Sequence, residues 1–166
     1  NALNLPSGLP PEIKPYLVLA NRLGRFVGQI TDGPITKVTL TGAGTLSRHN
    51  LSPLTAEAVA GILSSRTSGI TPVNALSKAG DFGLTIKEVA NPNSKEYTAL
   101  LTLDVETSRT RRRVSGSVFR VDQPHLVQID DLVLDIVPEG NMIVLSHMDR
   151  PGVVGFVGTI LGAANV

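Results

Sequence analysis

The chain has 166 residues, 42% of them apolar and only 4% aromatic, with no Trp and a formal net charge of +1. It can therefore build an aliphatic core but exerts no bulk electrostatic pull on nucleic acid. There is no cysteine, which removes disulfides, thiolate catalysis, Cys–zinc sites and iron–sulfur clusters together and agrees with a reducing compartment.

Pro6-Ser7-Gly8-Leu9-Pro10-Pro11 reads as a linker-like entry. The residues before it have no signal-peptide architecture and start without Met, as if mid-protein. Ile13, Leu17, Ala20, Leu23, Val27 and Ile30 then recur at spacings of three and four. This is the period of an amphipathic helix, entered at Pro15 and stopped by Asp32-Gly33-Pro34. Residues 35–41 alternate β-branched and polar side chains, predicting a strand that ends in a Gly42-Ala43-Gly44 turn. Ser52 as N-cap and Pro53 at the first helical position open a second helix running to Leu63. Residues 72–78 predict a short third helix, closed by Gly80 or Gly83.

From Leu84 onward the period changes to two, and strands are expected at 84–89, 97–106, 114–121, 126–129, 132–137 and 142–147. Helices first and sequential strands afterwards predict an α+β fold, with helices packed on a largely antiparallel sheet. Pro138-Glu139-Gly140-Asn141 is the one convincing domain boundary. No apolar run approaches the ~18 residues of a membrane span.

Little in this layout carries catalysis. His49, His125 and His147 lack the spacing of metal ligands, so no metal site is expected. Gly-x-Ser-x-Gly is missing, and Ser115-Gly116-Ser117 lies mid-strand, where it reads as a bulge or a close backbone approach. Gly42-x-Gly44 lacks the third glycine and the adjacent helix of a dinucleotide fingerprint, and there is no Walker motif. Arg109, Arg111, Arg112 and Arg113 fall at an expected hairpin tip. Two readings stay open there: a clamp for phosphate or carboxylate, and a solvated tip whose charge discourages edge pairing. No aromatic residue interleaves with them for base stacking.

The most informative stretch is His147-Met148-Asp149-Arg150-Pro151-Gly152-Val153-Val154-Gly155. It joins an alternating apolar run to an apolar pattern of helical period, which predicts a strand, a polar turn and a helix start. Such a turn can hold a small zwitterion. Helix-start N–H groups would face its carboxylate, while Asp149 and His147 face its ammonium and hydroxyl groups. The competing reading is that Asp149 stabilises the helix start and that Gly152, Gly155, Gly158 and Gly162 are close-packing positions.

At these residues a resemblance appears. His147-x-Asp149-Arg150-Pro151-Gly152-Val153-Val154-Gly155, followed by Gly158-Thr159-Ile160-Leu161-Gly162, resembles the opening strand and helix of an ACT domain, a small amino-acid-sensing module of ferredoxin-like fold. Ser52-Pro53-Leu54-Thr55-Ala56 with Gly61, and Pro72-Val73-Asn74-Ala75 with Ala79 and Gly80, resemble the intervening domain of long-form D-3-phosphoglycerate dehydrogenases. Lys14-Pro15-Tyr16-Leu17 and Leu23-Gly24-Arg25 fit that domain's first helix, and Asn1-Ala2-Leu3-Asn4-Leu5-Pro6-Ser7 is similar to the exit from the catalytic half.

The resemblance implies three parts: residues 1–8 leaving the catalytic half, 9–138 as intervening (allosteric substrate-binding) domain, and 141–166 as the first strand and helix of the ACT domain. The parent enzyme would oxidise 3-phosphoglycerate with NAD on the route to serine, in the cytoplasm or a plastid. This segment would hold no catalytic residue and no cofactor. Its implied work is regulation and homo-oligomerisation, with L-serine as effector at His147, Asp149, Gly152, Val153 and Val154.

The family's next serine contact, an Asn, is expected beyond Val166, so the chain alone is expected to bind serine poorly. A phosphorylated hydroxy- or keto-acid is a second implied effector. The resemblance places His125 and Val137 where some bacterial long forms use basic residues for its phosphate. Val137 departs from that pattern, which leaves Arg109, Arg111, Arg112, Arg113 and His125 as the anion contacts to consider. Neither nucleic acid nor membrane is an expected partner. A structural dimer or tetramer module with decayed ligand sites remains the alternative. An iron–sulfur serine dehydratase domain is disfavoured by the absence of cysteine and of a Ser-Ser-Ser-His-Thr stretch.

Overall fold

The computed structural model describes residues 8–120, 122–146, 148 and 150–165. Helix α1 (Lys14–Ile30) opens with Pro15 in its first turn, where the missing N–H costs nothing. It ends where the Thr31 hydroxyl donates to the Val27 carbonyl at 2.6 Å and Gly33 turns the chain at φ +82°. Strand β1 (Ile35–Gly44) and a 3-10 turn (Thr45–Arg48) lead into α2 (Ser52–Ser64) and α3 (Pro72–Asp81). Five strands follow: β2 (Thr85–Asn91), β3 (Ala99–Thr107), β4 (Arg111–Phe119), β5 (Gln123–Ile129) and β6 (Leu132–Ile136). Helix α4 (Val153–Ala163) comes last.

The strands form one six-stranded sheet in the order β2-β1-β3-β4-β5-β6. β1 and β2 are parallel, and the remaining neighbours are antiparallel. The period of two sorts the sheet into faces. Val38, Leu40, Leu101, Leu103, Val105, Val114 and Leu126 are fully buried in one cluster with Leu19, Leu23 and Val27 of α1 and Leu54 and Ile62 of α2. α3 lies further out and closes a smaller cluster, in which Ala75 and Ala79 pack with Val59, Ala60 and Leu63 of α2.

Backbone meets backbone where α1 crosses α2. A Cβ on Gly24 would stand 2.1 Å from the Ala58 carbonyl oxygen, and one on Gly61 would stand 2.3 Å from that of Asn21. Such an approach is open only to glycine, and it draws the two helices together over the sheet.

The α+β class and the order of elements agree with the sequence reading, and several boundaries move for physical reasons. β1 runs through Gly44 instead of turning at Gly42. Gly42 takes the Leu51 side chain where a Cβ would sit, and Gly44, at φ +65°, lies where a Cβ would be 2.2 Å from the Thr98 carbonyl oxygen. Leu51 rather than Ser52 holds the N-cap position of α2; the side chain of Asn50 accepts the Ser52 N–H at 3.0 Å. α3 continues through Gly80 and breaks at Gly83, φ +69°.

β4 begins at Arg111, so of the four arginines only Arg109 lies in the β3–β4 turn. Thr107 and Thr110 close that turn through backbone and hydroxyl bonds, which frees Arg111–Arg113 for the ladder. The expected strand at 142–147 enters no ladder over its described part, 142–146. An alternating pattern becomes a strand only where a neighbour supplies the other half of the hydrogen bonds. Ser115-Gly116-Ser117 does mark a bulge: the β4–β5 register shifts between Ser115 and Gly116, and a Gly116 Cβ would be 2.7 Å from the His125 carbonyl oxygen.

Candidate functional site

Helices cover one face of the sheet, and polar side chains line the other. Register decides which arginines meet. Arg111 stands opposite Glu106 and Arg113 opposite Asp104, while Arg112 stands opposite the buried Val105. Arg111 and Arg113 therefore project from the open face, and Arg112 from the helix face.

Asp104 is the anchor of the open-face group. Its carboxylate is nearly buried at 7% side-chain exposure. It accepts Arg111 Nε and Nη2 at 3.0 and 2.8 Å and Arg113 Nε at 2.9 Å. Beside it, Lys37 Nζ meets Glu106 at 2.9 Å. The result is an alternating ladder of charge along the strands, with both guanidinium groups roughly half exposed. Ion pairing of this kind fixes the planes of the two guanidinium forks while leaving donors for a further anion.

Arg112 takes a different partner, Asp130, at 2.6 Å. Asp130 occupies the left-handed region at φ +51°, which Asp tolerates better than most residues. Its other oxygen accepts the Arg113 N–H at 2.9 Å. Arg109 stays in the turn, where its N–H is bound by the Thr107 hydroxyl.

His125 shares the open face with Arg111 and Arg113, paired across from Ser117. Ser117 stands four residue steps along β4 from Arg113, about 13 Å at the rise of a strand. The structure thus places His125 apart from the arginines. Its Nδ1 is bound to Asp135 at 2.5 Å, and its ring packs on Phe119 with centroids 4.6 Å apart. Its Nε2 is buried and finds no hydrogen-bond partner among the described residues.

Between Arg113 and the loop at 91–97 lies a pocket of about 340 Å³, lined by Thr102, Asp104, Ser115, Gln128, Tyr97 and Lys95 among others. Thr102 and Ser115 hydroxyls meet at 2.9 Å across its floor. The carboxylates of Asp104, Asp130 and Asp135 were not singled out from the sequence. Their signal was present in the alternation of Thr102, Asp104 and Glu106 opposite the arginine run, but it becomes readable only once the hairpin register is known.

At the carboxyl-terminal turn, His147 and Asp149 lie outside the described residues. Gly152 holds the N-cap position of α4 at φ +91°, and Val153 and Val154 form the helix's first turn, whose N–H groups have no intrahelical partner. Among the described residues, a Cβ on Gly152, Gly155, Gly158 or Gly162 would meet nothing within 4 Å, so these glycines are not close-packing positions there. Among the described residues no group of acidic or histidine side chains is placed to hold a metal ion, and no helix is long and apolar enough to cross a membrane.

Comparison with known proteins agrees with this architecture. A family model described as the D-3-phosphoglycerate dehydrogenase intervening domain matches residues 12–130. The whole chain is 30% identical to a D-3-phosphoglycerate dehydrogenase of Synechocystis sp. and covers 31% of that protein. It is 32% identical, again over its whole length, to one of Archaeoglobus fulgidus and covers 32% of it. Over 99% of its length it is 30% identical to D-3-phosphoglycerate dehydrogenase 2, chloroplastic, of Arabidopsis thaliana, covering 30% of that relative. The chain spans about a third of the length of the curated relatives it matches. With a matching profile over α1 to α3 and all but the last strand of its sheet, the chain belongs to the D-3-phosphoglycerate dehydrogenase intervening-domain family.

Proposed function

We propose that this chain is the regulatory and oligomerising segment of a D-3-phosphoglycerate dehydrogenase, an enzyme that oxidises 3-phosphoglycerate with NAD at the entry to serine synthesis. The observation that carries the reading is the family match over residues 12–130, together with relatives of that name aligned along the whole chain. The chain itself binds no NAD and performs no chemistry. Its role is coupling, in which a ligand bound on this segment biases how the catalytic domains of like subunits sit against one another. Such an enzyme works in the cytoplasm or, as the name of the Arabidopsis relative suggests for its own case, in a plastid.

L-serine is the effector in this reading. His147 and Asp149 contact its polar groups, and the backbone of Gly152, Val153 and Val154 takes its carboxylate. The turn conformation of Gly152 at the start of α4, where the first N–H groups have no partner within the helix, supports this assignment. A phosphorylated hydroxy- or keto-acid is the second effector, held by Arg111 and Arg113 on the open face. Arg109, Arg112 and His125 are too dispersed to share one small anion with them.

The test is an assay of the full-length dehydrogenase with and without L-serine, in wild type and Asp149→Ala. Serine should inhibit the wild type, and the variant should keep its uninhibited rate while losing the response. Equal inhibition of both enzymes would remove Asp149 from the serine site. No inhibition of either would leave a purely structural module.

A further inference from the structure

A second and larger depression lies on the helix side, away from both sites just described. It encloses about 940 Å³ between α1 and the segment 138–146. Three arginines from two parts of the chain line it: Arg22 and Arg25, one turn apart on α1, and Arg112 from β4. Phe26, Met142 and Val144 supply an apolar wall.

The electrostatics are not those of a simple solvated surface. Arg22 gives Nη1 to Glu139 at 2.7 Å, and Arg112 gives Nη1 to Asp130 at 2.6 Å. In each case one terminal nitrogen is engaged and the rest of the fork remains available. Arg25 has no ion-pair partner among the described residues, although Asp32 lies on the same rim. Two guanidinium groups are thus held in place by carboxylates and a third meets no carboxylate among the described residues, all around a space with an apolar side.

We propose that this groove binds an amphipathic organic anion: a phosphate or carboxylate head among Arg22, Arg25 and Arg112, and a hydrocarbon body on Phe26, Met142 and Val144. The inference is independent of the serine reading, because it uses neither the turn at 147–152 nor the open sheet face. An occupant would touch α1 and the 138–146 segment at once and would compete with Glu139 for Arg22. Binding would fasten that segment to the helix layer immediately before residue 147.

The experiment is calorimetric titration of this chain with inorganic phosphate and with hexyl phosphate. Hexyl phosphate should bind at least about fivefold more tightly, since even partial burial of its methylene groups exceeds that margin. Arg25→Glu should weaken it by about tenfold or more through loss of a charge-assisted contact and gain of a repulsion. Glu139→Gln should strengthen it by roughly threefold by removing the internal competitor for Arg22. Arg109→Glu, in the β3–β4 turn, should change nothing. Arg25 is exposed and outside the core, so its variant should fold, which thermal melting verifies. Equal affinity for the two probes, no binding of either, or an unchanged affinity in Arg25→Glu would overturn the proposal.

Discussion

Glu57 shows how a single side chain can oppose the fold that holds it. It lies buried at the α1–α2 seam with Asn21 Nδ2 donating to its carboxylate at 3.0 Å. Desolvation by burial raises its pKa above 4.5, and the Asn21 bond offsets only part of that rise. Below about pH 4.5 the group is protonated in folded and unfolded chains alike, and its burial is tolerated. As pH climbs through the raised folded value, the folded state must ionise a desolvated acid, so the stability present at low pH is lost. Glu57→Gln should therefore be more stable than wild type at pH 7, with the difference closing near pH 4 in urea-unfolding series at both values. A constant difference would show that burial is not the cause. Asp104, by contrast, has two arginines as its partners. Asp104→Ala should lower unfolding free energy by about 1–2 kcal/mol, less than the loss of a fully buried pair because Arg111 and Arg113 can turn back to water. Denaturant titration at low salt checks it.

At the scale of elements, the α1–α2 seam is the most demanding contact. Gly24→Ala places a methyl group against the Ala58 carbonyl and should cost about 1–3 kcal/mol or more, since overpacking here meets backbone rather than a movable side chain. Gly155→Ala, with nothing within 4 Å of its Cβ, should leave stability unchanged or slightly higher; melting curves of both variants compare the two. The elements themselves were legible because Ile13, Leu17, Ala20, Leu23 and Val27 announce a helical period, and β3 announces a period of two. Boundaries were less so. Gly42 and Gly44 read as a turn because glycine signals both turns and close approaches, and only the neighbours Leu51 and Thr98 decide between them. The arginines read as a tip for a similar reason: their charge suggested solvent, whereas Asp104 on the paired strand and Asp130 beyond β5 hold them in a strand.

For the molecule as a whole, the sheet with α1–α3 holds the core, while α4 contains no buried residue. Removing residues 139–166 should accordingly shift the unfolding free energy by no more than about 0.5 kcal/mol, the worth of the exposed Arg22–Glu139 pair it sacrifices. A larger loss, read from chemical denaturation, would mean that α4 packs on the sheet domain. The candidate sites were visible only in part at this scale. Motif spacing pointed to the 147–155 turn, but the groove joining α1, β4 and the 138–146 segment depends on tertiary proximity that no local pattern encodes. The sheet order has one further consequence. β3 to β6 follow one another through short turns, whereas Leu40 of β1 must find Leu103 of β3 across more than sixty intervening residues. Closing so long a loop is entropically slow. During synthesis β1 therefore waits with one edge unclaimed until β3 emerges, and the amino-terminal helices must shelter it in the meantime.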